Sequence, residues 1–332
     1  MKKTLIATAV AAAVSAPAAF ADVKIGGMVN PEFSDSNATT GYAASVNTDL
    51  VFTGSEDLGN GLKASFKYHV FHDDGNSTTL ATSTATIDNV GSATTIANSQ
   101  TVVSSASVTN NVADLSVSLS GDFGTITAGR FETFNMAYFH PKADMDPSHD
   151  ITLEDTLGQQ GRVNGSLAYV SPSFNGLTVG LSALMGAGMA DSGTDTSNTD
   201  GSEVMVKYTN AGLELSAGTT THKGAAADEK VTNVYAGYSM GDLKVGVLHR
   251  DVENNNGNTA AAGQNKSTTF NVAYTMGANT VSFGLLDSDD ARDGDSVIAL
   301  KHAMSKNVSA YIAQKNDDDG DDTTLIGVKY GF

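Results

Sequence analysis

The chain has 332 residues, of which 37 are acidic and 19 basic, for a formal charge of -18. It contains no cysteine, which excludes a disulfide framework, a thiolate metal site and a cysteine nucleophile, and its surplus negative charge opposes nucleic-acid phosphates. Only 17% of residues are charged and 40% are apolar, the latter interleaved with Ser, Thr, Gly and Asn, which is the composition of an all-β chain with little charged outer surface.

Residues 1–21 read MKKTLIATAVAAAVSAPAAFA. Lys2 and Lys3 precede an apolar run from Leu5 to Val14, and Ala19-Phe20-Ala21 satisfies the small-x-small cleavage rule. This predicts an export signal over 1–21 and a mature chain over 22–332, beginning at Asp22. The alternative is a short N-terminal anchor, but the apolar run is about half of the ~20 residues a spanning helix needs.

Downstream, connections of two kinds alternate. SEDLGNG, SGDFG, SPSFNG, TNAG, SMGD, TMGAN and AMSKN are tight; SDSNATTGYAAS, 73–111, 131–161, GAGMADSGTDTSNTDG, HKGAAADEK, DVENNNGNTAAAGQNK, DSDDARDGD and NDDDGDD are long and polar. Seven tight turns and eight long loops predict sixteen strands. Short turns on one side and long loops on the other suit a barrel threaded through a membrane from one face.

From Arg162 onwards a repeat emerges. Tyr169, Tyr208, Tyr238, Tyr274 and Tyr330 each close an alternating segment just before a tight turn or the chain end, with His302 in the equivalent place. The interval is roughly 32 residues, which fits two strands of ~10 residues with one short and one long connection. Alternation assigns the faces. Phe270, Val272 and Tyr274 oppose Val281, Phe283 and Leu285, whereas Thr269, Asn271, Ala273, Ser282 and Gly284 are small or polar. One face is continuously apolar and the other never becomes a core. In a soluble sandwich apolar faces meet each other; in a membrane barrel they meet lipid, and the tyrosines form an interfacial girdle. Open edges in hydrocarbon would strand unpaired N–H and C=O groups, so the sheet must close.

FTGSEDLGNGLKASFKY, SLSGDFGTITAGR, RVNGSLAYVSPSFNGLTVGLSAL and the terminal VKYGF resemble strands two to seven and the closing strand of the trimeric general diffusion porins of Gram-negative bacteria. The resemblance covers essentially the whole mature chain. It implies a homotrimer of sixteen-stranded antiparallel up-and-down barrels in the outer membrane, among lipid and lipopolysaccharide, passing small hydrophilic solutes and ions. It implies that the α-amino group of Asp22 meets the carboxylate of Phe332 at barrel closure, with Phe332 as assembly signal. It also implies that the third long loop, Phe131 to Gly161, folds into the lumen and sets its acids against bases on the opposite wall.

The matching loop acids are Asp144, Asp146, Asp150, Glu154 and Asp155, and the candidate wall bases are Lys24, Lys63, Lys67, Arg130 and Arg162. Parity turns Lys24, Lys63, Lys67 and Arg162 inward, since a base facing the lipid midplane costs about 2–4 kcal/mol. Arg130 breaks parity, sharing phase with Ile126 and Ala128, and is expected past the strand end, where the loop turns inward. The loop has HPKADMDP where some relatives have a Pro-Glu-Phe-Gly turn, which leaves open which acids touch the pore. The long stretch 73–111 is a surface excursion or an extra hairpin, the latter making eighteen strands.

These readings predict a passive, cation-preferring pore with no cofactor. The acidic runs DSDDARDGD and NDDDGDD lack the terminal Glu of a calcium loop; they read as solvated loops or as divalent-ion bridges to lipopolysaccharide. No G-x-S-x-G, H-E-x-x-H or phosphate-loop motif occurs. His140 and His149 flank loop acids without a placed nucleophile, so no enzyme is expected. The rival readings are a substrate-specific channel, which would show an aromatic track along the inward positions, and a secreted β-rich adhesin.

Overall fold

The computed structural model describes residues 23–37, 42–73, 111–143, 153, 161–185, 201–222, 229–253, 266–289, 293–318 and 320–332. They form sixteen strands: β1 Lys24–Ser36, β2 Tyr42–Gly59, β3 Leu62–Asp73, β4 Asn111–Gly121, β5 Gly124–Glu132, β6 Arg162–Val170, β7 Leu177–Leu184, β8 Gly201–Asn210, β9 Leu213–His222, β10 Glu229–Met240, β11 Leu243–Glu253, β12 Lys266–Met276, β13 Asn279–Ser288, β14 Ser296–Ala303, β15 Val308–Asn316 and β16 Thr323–Gly331. Each pairs antiparallel with its neighbours in sequence, and β16 returns to β1, so the sheet is a closed barrel.

Closure answers the backbone accounting directly, because a sheet without edges leaves no row of unpaired N–H and C=O groups. The seam runs from Met28↔Gly331 to Ser36↔Thr323 and is extended by Phe332, which exchanges backbone hydrogen bonds of 3.0 and 3.1 Å with Gly27. Sixteen strands, not eighteen, make the wall. β3 pairs directly with β4, from Lys63↔Ser120 to Phe71↔Asn111, so no place remains there for an extra hairpin; residues 74–110 themselves lie outside the described residues.

The tight turns follow the local sequence. In the turn joining β6 to β7, Asn175 and Gly176 have φ of 51° and 91°, both left-handed, as a turn matched to strand twist requires and as Asn-Gly supplies at little cost. Ala211 occupies the same region at φ 45° ahead of Gly212 at 88°, a conformation in which its Cβ is strained.

The alternation read from β12 and β13 holds around the wall. Outward positions such as Val245, Phe270, Phe283, Leu300 and Ile326 are 39–51% exposed, while their inward neighbours Leu248, Thr269, Ser282, Ala299 and Leu325 are buried. The buried apolar residues do not form a sandwich core. Most sit on the inner face, in two clusters that include residues of the segment between β5 and β6, with Val231 and Val252 forming a third, smaller cluster.

Candidate functional site

The crossing segment leaves β5 through Thr133, whose N–H donates to the Gly161 carbonyl and pinches the loop's base. A π-helical turn, Asn135–Phe139, runs into the one-turn helix α1, His140–Ala143. Phe134 and Phe139 pack inside the barrel on Ala168, Met205, Tyr235 and Leu248, and Leu153 packs across the lumen on Leu286, Val297, Tyr311 and Leu325. The described parts of the loop therefore hold to the inner wall at two places, Phe134 and Phe139 on β6, β8, β10 and β11, and Leu153 on β13 to β16.

The wall is cut to receive it. A Cβ on Gly180 would lie 2.8 Å from Phe134, one on Gly218 2.7 Å from Phe139, and one on Gly284 2.6 Å from Leu153; real Cβ atoms do not approach so closely, so each glycine is a notch for a loop side chain. Polar anchors accompany the notches. The buried Glu203 carboxylate on β8 accepts the backbone N–H groups of Phe134 (3.0 Å) and Asn135 (3.4 Å) and the Thr220 hydroxyl (2.9 Å). The Asn135 side chain accepts from Asn233 at 2.9 Å, and Asn271 donates to the Lys142 carbonyl at 2.9 Å. Lys142 itself pairs with Glu214 at 3.1 Å and lies over the Tyr235 ring. Tyr138 turns its ring toward the Lys207 ammonium, 5.2 Å from its centroid, and burial pushes its phenol above the ordinary tyrosine value.

On the wall near the loop's base, charges gather around Asp114 of β4. Lys67 Nζ lies 2.6 Å away, Arg162 Nε 3.5 Å and His69 Nδ1 3.2 Å; His69 Nε2 reaches Asp49 at 3.0 Å, and Arg162 continues to Glu132 at 2.6 Å. The imidazole donates to both carboxylates together only in its protonated form. Asp114 is inward by the same alternation as Ser116 and Ser118; beyond it Ala113 is an extra residue in the β3–β4 ladder, where the register shifts after His69.

The sequence-derived bases divide. Lys67 and Arg162 meet on Asp114. Lys24 shares the inward phase and stands level with Lys67 across β2, through Lys24↔Thr53 and Thr53↔Lys67, without joining the ion pairs; Lys63, also inward in phase, stands four residues nearer the tight turn. Arg130 lies within β5, not past its end, and keeps the outward phase. The ladder shifts between Gly129 and Phe131, and the guanidinium bonds the main-chain carbonyls of Val112 (2.9 Å) and Arg162 (3.3 Å) and the Asn164 side chain (3.3 Å). Asp22, Asp144, Asp146, Asp150, Glu154 and Asp155, and the His149 of the histidine pair, lie outside the described residues. Asp49, His69, Asp114, Glu132 and Glu203 were not singled out from the sequence. Asp114 was reachable, since it shares phase with Ser116 and Ser118; Glu203 carried no signal beyond being an inward acid.

Tyr238, Tyr274 and Tyr330 are 45–48% exposed on the outer face; Tyr169 and Tyr208 share that phase, and the Tyr169 hydroxyl bonds the Phe123 carbonyl at 2.7 Å. The acidic loops after β13 and β15 dock on each other. Lys315 lies 3.1 Å from both Asp295 and Asp317, and Asp318 N–H donates to Asp295. No group of three acids or histidines fit to hold a metal ion occurs among the described residues.

Comparison with known proteins gives one consistent picture. A family model described as Gram-negative porin matches residues 7–323. Outer membrane porin protein 32 of Delftia acidovorans is 28% identical over 281 residues, covering 75% of this chain and 69% of that protein. A variant of the Rhodopseudomonas blastica porin superposes with a TM-score of 0.68 at 15% identity, over 93% of this chain and 100% of that one. Salmonella typhi OmpF, in complex with daunomycin, gives 0.68 at 16% identity over 93% and 97%.

Proposed function

The chain belongs to the Gram-negative porin family, and from that premise we propose that it is a general porin: a water-filled channel for passive diffusion of ions and small hydrophilic solutes. It is a multi-pass β-barrel of the outer membrane. The observation that carries the reading is the strap. A loop held across a polar inner wall by notches and by Glu203 narrows the lumen at a fixed place, and a narrowed aqueous tube filters by size and charge.

The proposal includes removal of residues 1–21, assembly as a homotrimer, a girdle of Tyr169, Tyr208, Tyr238, Tyr274 and Tyr330 at one membrane interface, and the meeting of the Asp22 amino group with the Phe332 carboxylate. It includes a constriction where the acids Asp144, Asp146, Asp150, Glu154 and Asp155 face wall bases. Lys67 and Arg162 fit that role best, because they share Asp114 beside the loop's base. Lys24 faces the same lumen level with Lys67, Lys63 faces it nearer the turn, and Arg130, outward in phase, acts by bracing the strand ends.

A cation preference follows from the formal charge of -18 and from the acids gathered on the long-loop side, through the summed field inside low-dielectric walls. Purified protein in a planar bilayer should give stepwise conductance, and a KCl gradient should give a reversal potential of cation sign. A persistent anion sign would overturn the preference, and no conductance would overturn the pore.

A further inference from the structure

The inner wall carries further bases that do not pair with Asp114. Lys63, Lys207, Lys244, Lys301 and Lys329 lie within about four residues of a tight turn or of Phe332 at the seam, and Lys24, level with Lys67 across β2, lies three residues from the Gly27–Phe332 bonds of the seam. Each has the inward phase. Lys24 alternates with Val23 and Ile25, Lys244 precedes the outward Val245, Lys301 follows Leu300, and Lys329 stands between Val328 and Tyr330, all six neighbours being exposed on the outer face. Lys207 shares phase with the buried Glu203 and Met205, and Lys63 with Lys67.

None of the six makes an ion pair among the described residues; Lys207 meets only the Tyr138 ring. The inward acids at this end are Asp57, whose carboxylate accepts the Gly59 N–H and which stands across the ladder from Lys63, and Glu214, already paired with Lys142. Asp122 and Asp242 sit in the turns, and Glu56 has the outward phase. At the long-loop end the balance reverses: Lys315 pairs with Asp295 and Asp317, and Asp293, Asp318, Asp321 and Asp322 lie in the same two loops. The barrel thus carries bases at one mouth and acids at the other.

Resting on the pore reading, we propose that the turn-side mouth of the lumen is a vestibule for multivalent anions, such as phosphorylated or polycarboxylate solutes, formed by these six lysines. Unpaired ammonium groups around a water-filled mouth attract an anion in proportion to its charge. The field reaches across the mouth at low ionic strength, where the Debye length is about 30 Å at 0.01 M, and fades at 1 M, where it is about 3 Å. Chloride therefore gains little and a trivalent anion much.

The test is single-channel recording in dilute KCl with inorganic pyrophosphate added to one side at a time. Orientation is read from a single cysteine placed in the turn at Ser305, in a chain that has no other, with a membrane-impermeant thiol reagent. Turn-side pyrophosphate should reduce the current at a concentration about tenfold lower than loop-side pyrophosphate, and 1 M KCl should abolish the difference. The triple variant Lys244→Gln, Lys301→Gln, Lys329→Gln should remove most of the sidedness while keeping stepwise conductance. A conducting channel blocked equally from both sides, or one whose sidedness survives the triple variant, would overturn the vestibule alone. Absence of any conductance in the unsubstituted protein would overturn the pore with it.

Discussion

Replacing Glu203 by Ala tests how the strap is held. The carboxylate takes three donors: the Phe134 and Asn135 N–H groups at the start of the π-helical turn, and the Thr220 hydroxyl. Leaving a buried donor unsatisfied costs about 1–3 kcal/mol, offset in part because removing Glu203 also removes a desolvated carboxylate. The net loss in loop docking should be about 2–4 kcal/mol, and since about 1.4 kcal/mol is tenfold in an equilibrium constant, the undocked population should rise by roughly thirtyfold or more. Phe134, Phe139 and Leu153 still seat in their notches, so the barrel persists while the strap opens transiently. Single-channel recordings of Glu203→Ala should show larger open-channel noise and added conductance levels. Glu203→Gln, which keeps one carbonyl acceptor, should fall between. Conductance and noise unchanged in Glu203→Ala, with the barrel shown intact by its heat-modifiable gel mobility, would refute the anchoring argument.

Asp114→Asn leaves Lys67, His69 and Arg162 with one negative charge fewer, so the reversal potential should move toward anions in the same salt gradient, and a shift toward cations would contradict the placement of these groups on the lumen. Gly218→Val places carbon where Phe139 sits, with the added Cβ 2.7 Å from its ring; the strap should be displaced, and protease nicking between Thr133 and Gly161 should rise severalfold. Ala211→Gly relieves the strained turn at φ 45° and should stabilise the barrel by about 1 kcal/mol, read as a shift in urea-induced unfolding in detergent micelles.

Much of the wall was legible because its signal is periodic. Phe270 to Leu285 alternate without a break, and the tyrosines recur ahead of turns that Asn-Gly, Met-Gly and Ala-Gly steps announce. Sixteen strands followed from counting connections. The strap's path was not legible, because nothing in Phe134, Phe139 or Leu153 distinguishes a residue crossing a lumen from one in a surface loop. Its receptors are glycines, and a glycine inside a strand reads equally as a bulge, a bend or a notch. Arg130 was misplaced for a physical reason: the β5–β6 ladder shifts at that residue, and backbone carbonyls satisfy the guanidinium without a turn into the lumen. The turn-side lysines were visible singly, but their common level depends on which strands the turns join.

The pore requires the outer face to meet hydrocarbon and the inner face to meet water. The most direct measurement is thiol accessibility in reconstituted membranes, on single-cysteine variants of a chain that has no cysteine of its own. Lys244→Cys, Lys301→Cys and Lys329→Cys should react with a water-soluble maleimide, and their neighbours Val245→Cys, Leu300→Cys and Val328→Cys should react only with a lipid-soluble one. Equal labelling of both sets by the aqueous reagent would contradict the barrel's orientation of its faces.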